Sequence, residues 1–187
     1  VYSLLGGLGW GGGRDIHEVK ANEVVKMQYL LIFELMRDHV WFPHPEMVDF
    51  MRDIASRSVK LIPEKRKAEL DSLSHKIMIS RRDSHRRKPL NESQVEIAFK
   101  QNGFSIVTRS EMSVADSLYL FSRSTVIAGQ FGSNTMNAMF MPSGGTLFEF
   151  FSPHGPTWQN RHLAASARCA YLCAIGKSDQ QLSDARK

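Results

Sequence analysis

The sequence predicts an α/β domain in which helices flank a parallel sheet, and three observations carry this. Short apolar runs recur at residues 76–79, 105–108, 125–128 and 146–151, each the length of a buried strand. Capped helical stretches alternate with them, beginning at Asn91 and at Ser113. The loop after the first run is rich in arginine, and the loop after the third is rich in Gly, Ser and Asn. An open parallel sheet binds ligands at such strand ends, where a loop meets the start of a helix.

Taken in order, residues 1–22 read as a Gly-rich loop or linker. Gly6, Gly7, Gly9, Gly11, Gly12 and Gly13 follow no strand and precede no Lys-Ser or Lys-Thr pair, so a phosphate cradle is not indicated. Residues 23–33, EVVKMQYLLIF, are β-prone and largely apolar and are expected as a strand. His44 and Pro45 open a helix whose core face is Met47, Val48, Met51 and Ile54. A charged helix is expected over residues 63–73. Asn91 with Gln94 reads as an N-cap and capping box for a helix carrying Val95, Ile97, Ala98 and Phe99, stopping at Asn102-Gly103. Ser113 with Asp116 repeats the pattern, with Leu118, Leu120 and Phe121 turned inward. Residues 23–176 are the expected domain, and 177–187 a polar, mobile tail.

With 187 residues, 42% of them hydrophobic, the chain can bury one sizeable core. No apolar run reaches the ~18 residues of a membrane span, and the opening VYSLLGGLGWGGG lacks the basic start and apolar stretch of a signal peptide. The net charge of +5 invites a nucleic-acid reading. Its distribution argues otherwise: Lys76, Arg81, Arg82, Arg86, Arg87 and Lys88 crowd one stretch against a single acid, Asp83. Such a patch suits a small polyanion, and aromatics at the spacing of an RNA-binding sheet are absent. Cys169 and Cys173 are poorly placed for a disulfide in strand or helix and are expected as buried free thiols, which fits a reducing compartment.

The chemistry concentrates at two loops. In ISRRD, Ser80, Arg81 and Arg82 stand at a strand end, with Arg87 beyond the turn. A departing diphosphate gathers negative charge that planar guanidinium groups can hold; alternatively these arginines are solvated or pair with Asp83. In GQFGSNTMN, Gly129, Gly132, Ser133, Asn134, Thr135 and Asn137 lead into an expected helix near Asn134 or Thr135, capped by Ser133 or Asn134. Glu149 stands between Phe148 and Phe150 and needs a partner if buried: a ribose hydroxyl, a loop arginine or a structural salt bridge. His154 and Trp158 are candidates to line the mouth. No His, Cys, Asp or Glu spacing of a metal site and no Asp-x-Asp motif appears, so no metal or cofactor is required by the visible residues. A Gly-x-Ser-x-Gly elbow is also missing, which argues against a serine hydrolase.

These motifs together resemble glycosyltransferase family 61: ISRRD with Arg87 and Asn91-Glu92 behind it, Gly103-Phe104, the helix at 113–121, VIAGQFGSNTMN, the MPSG to FEF run, and PHPEMVDFMRD upstream. The likeness covers roughly residues 23–174. It implies a Rossmann-like sheet forming the C-terminal domain of a GT-B glycosyltransferase, with a nucleotide-activated sugar as donor and inverting transfer to a hydroxyl acceptor, a polysaccharide or glycoprotein glycan. It further implies that Arg81, Arg82, Arg87 and the 129–137 loop hold the diphosphate, with Ser80 beside them, while Glu149 binds the ribose. Where the family loop reads G-P-H-G-A-G-L-T-N, this chain has Phe131 in place of the His and Asn134 in place of the third Gly, keeping Gly129, Gly132 and Asn137. Phe131 is expected to stack on a base or pack against a partner domain. A degenerate member serving as a structural or binding subunit is the rival reading. The chain is too short for both halves of a GT-B enzyme and begins with Val1, so a missing N-terminal half or partner subunit is expected to supply the catalytic base. Asp15, His17 and Glu18 are the local rivals for that role. The compartment would be cytoplasmic for a bacterial protein and the secretory lumen for a eukaryotic one.

Overall fold

The structure, a computed structural model, describes residues 22, 24, 26, 43–84, 88–153 and 157–177. The expected strand over 23–33, apart from two positions, lies outside the described residues, as do Asp15, His17, Glu18, Arg87, His154 and residues 178–187. Among the described residues, no helix is long and apolar enough to cross a membrane.

Helix α1 (Pro45–Ser58) begins as its sequence directs: Pro45 opens it and His44 caps it, Nδ1 accepting from the Glu46 amide at 3.4 Å. Val48 and Ala55 of α1 are fully buried, with Met51 packed against the core. A 3-10 turn (Val59–Leu61) leads to the charged helix α2 (Glu64–Asp71). Strand β1 (Lys76–Ile79) follows, then α3 (Glu92–Gln101), β2 (Ser105–Val107), a 3-10 turn (Arg109–Glu111) and α4 (Val114–Ser122). The predicted box on α4 is present: Ser113 Oγ accepts from the Asp116 amide at 3.0 Å, and Asp116 accepts from the Ser113 amide at 3.0 Å. The box expected at Asn91 is not. Asn91 sits at φ −104° and ψ 32° with no side-chain cap, because α3 starts with a carboxylate, Glu92, that turns back to the end of β1.

Strand β3 (Val126–Gln130), a 3-10 helix (Thr135–Phe140), β4 (Thr146–Phe151), α5 (Gln159–Ser166) and β5 (Ala170–Ile175) complete the order. The five strands are parallel and run β2-β1-β3-β4-β5. Side chains alternate across them. Ile77, Ile79, Ile127 and Leu147 face one way and form the core with Leu118, Leu120 and Phe121 of α4, Ala55 of α1 and Ala164 of α5. Phe148 and Phe150 face the other way, where Phe99 of α3 meets them at ring-centroid distances of 6.1 and 6.2 Å. The chain therefore leaves β1 on one face and β2 on the other. That reversal puts a crevice outside the ends of β1 and β3, the place where open α/β sheets hold ligands.

The expected burial of both thiols holds only in part. Cys169 and Cys173 are free, but Cys173 is exposed because β5 is the sheet's outermost strand among the described residues, while Cys169 is half-buried and burial pushes its thiol pKa up.

The opposite rim of the sheet is tied by one side chain. Arg52 of α1, 17% exposed, donates to the carbonyls of Met139 at 3.1 Å, Ala167 at 2.7 Å and Met141. These carbonyls precede β4 and β5, so the guanidinium fixes where both strands begin. Truncation would strand three acceptors at once. Arg52→Ala should lower the unfolding free energy by about 2–4 kcal/mol, on the worth of charge-assisted hydrogen bonds, measured by urea denaturation.

Candidate functional site

The crevice has two walls. The first is the exit of β1, where Ser80 is fully buried and Arg81 is 9% exposed. Glu92, 4% exposed at the start of α3, organises this turn: its Oε1 accepts from the Ser80 hydroxyl at 2.9 Å and from the Arg81 amide at 2.8 Å. Ser80 Oγ also lies 2.5 Å from Glu96 Oε1 and accepts from the Arg82 amide at 3.1 Å. The backbone donors at the end of β1 are thus occupied by the chain itself. An incoming anion would have to use side chains here. Arg82 is engaged too, 3.2 Å from Glu111 and 3.7 Å from Glu96, and exposed. Asp83 accepts from the Ser110 amide at 3.2 Å, and the Ser110 hydroxyl first, with that amide after it, holds its carboxyl below the usual range.

The second wall is the exit of β3. Phe131 donates its amide to Phe150 O at 3.0 Å, and its ring stacks on Phe151 with centroids 5.1 Å apart. The ring thus packs on a residue of the same sheet. Thr135, Met136 and Asn137 turn their amides back onto the carbonyls of Gly132, Ser133 and Asn134. The amides of Gly132, Ser133 and Asn134 themselves meet no acceptor among the described residues. Three successive amide donors at a strand end are of the kind that can take an anion. The element behind them is a six-residue 3-10 helix and not the expected α-helix, and neither Ser133 nor Asn134 caps it through a side chain. Asn137 Nδ2 donates to Asn134 O at 2.7 Å and closes the turn from within.

Glu149 lies beneath this turn, 0% exposed. Oε1 accepts from the hydroxyl of Thr135 and, at 2.8 Å, from Asn160 Nδ2; Oε2 accepts from the Tyr171 hydroxyl at 3.0 Å. All three donors are neutral side chains of the domain, so among the described residues neither a loop arginine nor a salt bridge satisfies this carboxyl. Burial raises its pKa, offset in part by Thr135, Asn160 and Tyr171 in that order. Tyr171 is pushed above the usual phenol range, first by burial and then by the Glu149 charge.

The structure brings Ser80, Arg81 and Gly129 to neighbouring strand ends, with Ile79 paired to Gly129 across β1 and β3. Gly132, Ser133, Asn134, Thr135 and Asn137 lie in the turn that follows. Trp158 is exposed just before α5, with Arg161 over its ring at 5.8 Å. Among the described residues, no group of three or more His, Cys, Asp or Glu is arranged to hold a metal ion. Sequence reasoning named Glu92 in a motif without giving it a role and passed over Glu96, Asn160 and Tyr171. Glu92 and Glu96 left one trace, like charges four apart on a helix, a repulsion that needs a reason. Asn160 and Tyr171 left none.

The state of Glu149 gives a signed pH dependence. An acid whose folded pKa lies above the ordinary 4.5 holds its proton more tightly when folded, so stability falls as pH rises from there through the folded value. Glu149→Gln keeps the shape and cannot ionise. The variant should gain on the parent chain as pH is raised from about 4.5 toward neutrality, read as the difference in melting temperature; a constant difference would contradict the raised pKa.

No curated protein matches the chain in sequence. Residues 15–148 match the family described as Glycosyltransferase 61, a span that includes β1, the arginine turn, α3, β3, the Gly132–Asn134 turn and the first half of β4. With more than half its length matched, and with an α/β parallel sheet consistent with a Rossmann-like glycosyltransferase domain, the chain belongs to glycosyltransferase family 61 and its class of reaction is glycosyl transfer.

Proposed function

We propose that the crevice at the ends of β1 and β3 binds the diphosphate of a nucleotide-activated sugar, and that the sugar passes with inversion to a hydroxyl of a polysaccharide or glycoprotein glycan. The observation that carries this reading is the run of three unengaged amides, Gly132 to Asn134, beside a turn that holds Arg81 at the adjacent strand end. Backbone donors fixed before the reaction stabilise charge on a leaving group without reorganising, and a guanidinium adds the opposite charge. A nucleoside diphosphate sugar releases its nucleoside diphosphate when the sugar is transferred. The arrangement suits that half of the reaction.

The other half needs a base within about 3 Å of the acceptor hydroxyl, on the face opposite the leaving group. The carboxylates of the two walls are engaged within the chain: Glu92 and Glu96 hold the turn after β1, Glu111 holds Arg82, Asp83 holds the Ser110 amide, and Glu149 is buried among its three donors. The base is therefore proposed to come from another part of the protein, in a GT-B arrangement from the facing half, with Asp15, His17 and Glu18 as the candidates within this chain. One observation favours a non-catalytic role instead: Phe131 occupies the position of the family's His and is committed to Phe151.

Titration with UDP, GDP and CMP by calorimetry tests the donor reading, and absence of binding for all three would reject it. Arg81→Ala should weaken the nucleotide that binds by about 10- to 100-fold, on the worth of a charge-assisted contact. Arg82→Ala should cost less than about threefold, since an exposed arginine already shared between carboxylates has little to add. Equal losses would put the anion elsewhere on the loop. Phe131→His is expected to leave sugar transfer no faster, because the imidazole replaces a ring packed on Phe151; a measured gain would mark the chain as a degenerate member.

A further inference from the structure

Glu149 is fully buried, and the donor reading uses none of its chemistry. Its neighbours explain what it does. Asn160 Nδ2 carries two protons and lies 2.8 Å from Glu149 Oε1, 2.9 Å from Thr135 Oγ1 and 3.3 Å from Gly132 O. The Thr135 hydroxyl lies 2.8 Å from Gly132 O as well as beside Glu149, and the Thr135 amide donates to the same carbonyl at 3.1 Å. The Thr135 amide therefore holds the Gly132 carbonyl inward, and the second proton of Asn160 and the single hydroxyl proton of Thr135, which Glu149 shares, lie on the same side.

No peptide bond of the described residues is cis. In a trans peptide the carbonyl of one residue and the N–H of the next point in opposite directions. A Gly132 carbonyl turned into the interior therefore turns the Ser133 N–H outward, and Ser133 is exposed while Gly132 and Thr135 are buried. Gly132 holds φ +156°, a backbone setting that residues with a side chain seldom adopt, so the orientation is not one the turn takes by default.

We propose that Glu149, through Asn160 and Thr135, is a positioning residue that fixes the Gly132–Ser133 peptide so that the Ser133 N–H faces the donor's diphosphate. This rests on the donor reading above for the identity of the ligand, and on the hydrogen bonds alone for the orientation. Glu149 supplies acceptors that no neutral aliphatic side chain could, and Asn160 spends one proton on Glu149 and the other on the turn. The acid thus acts through two intermediaries and touches no substrate.

The test uses the full chain and two readouts, hydrogen exchange of the Thr135 amide and calorimetric affinity for UDP. Asn160→Ala and, as a milder change of the same contact, Thr135→Val should speed Thr135 exchange and weaken UDP about tenfold, the worth of one oriented charge-assisted hydrogen bond. Thr135→Ser, which returns the hydroxyl, should restore the slow exchange. Exchange in the buried strands β1 and β3 should stay as in the parent chain, which separates positioning from general loosening. Unchanged Thr135 exchange in both variants overturns the proposal, as does faster exchange with undiminished UDP affinity. If the parent chain binds no UDP, the donor reading falls, and the exchange comparison by itself decides the orientation.

Discussion

The crevice depends on a missing side chain. Gly129 ends the buried part of β3 opposite Ile79 of β1, and a Cβ placed there would lie 3.1 Å from Thr135 Cγ2 and 3.3 Å from Ile79 O. Both are closer than ordinary contact, so the neighbours would have to retreat. With hydrogen in that place, Thr135 sits directly over the strand and within reach of Glu149, its lateral neighbour on β4. One close approach therefore lets a carboxyl on the central strands hold a turn at the sheet's rim. Every feature of the second wall, from the inward Gly132 carbonyl to the outward amides, follows from it.

The two walls are held by different physics. On the β1 side charge does the holding: Glu92 and Glu96 take the Ser80 hydroxyl and the Arg81 amide, while Glu96 and Glu111 hold Arg82. The partially exposed contacts in that set are screened by salt, so Arg82 can exchange one anion for another at little cost. On the β3 side neutral donors surround a fully buried acid. Burial raises its pKa, and the hydrogen bonds of Thr135, Asn160 and Tyr171 oppose that rise. The first wall is adjustable and the second is set in advance. A leaving group that changes charge during reaction benefits from both, since adjustable cations follow the charge and fixed dipoles anticipate it.

What the sequence revealed follows the range of the interaction concerned. Strand β1 was legible to the residue because four apolar positions between turn signals allow little else, and the Ser113–Asp116 box because both partners lie within one turn. The Asn91 box failed for the complementary reason. Its helix start answers to Ser80 and Arg81, twelve and eleven positions earlier than Glu92, and no local pattern reports such a contact. Likewise the need of Glu149 for partners could be read from its flanking phenylalanines. Their identity could not, because Thr135, Asn160 and Tyr171 meet only once β3, β4, α5 and β5 are assembled. The 3-10 geometry after Asn134 was hidden by the same limit: Thr135 is drawn down toward Glu149, and the tighter winding follows from that tertiary pull.

Phe131 shows how the same constraint bears on chemistry. A side chain at this place leaves the strand just as the backbone turns, with its amide still bonded to Phe150. An imidazole here would have ring nitrogens to offer the crevice, whereas a phenyl ring gains by lying on Phe151, 5.1 Å away and nearly parallel. Stacking ties the turn to β4 from above as the Glu149 network ties it from below. The loss of a proton-carrying group is thus accompanied by a stiffer turn. A stiffer turn keeps its amides in one orientation.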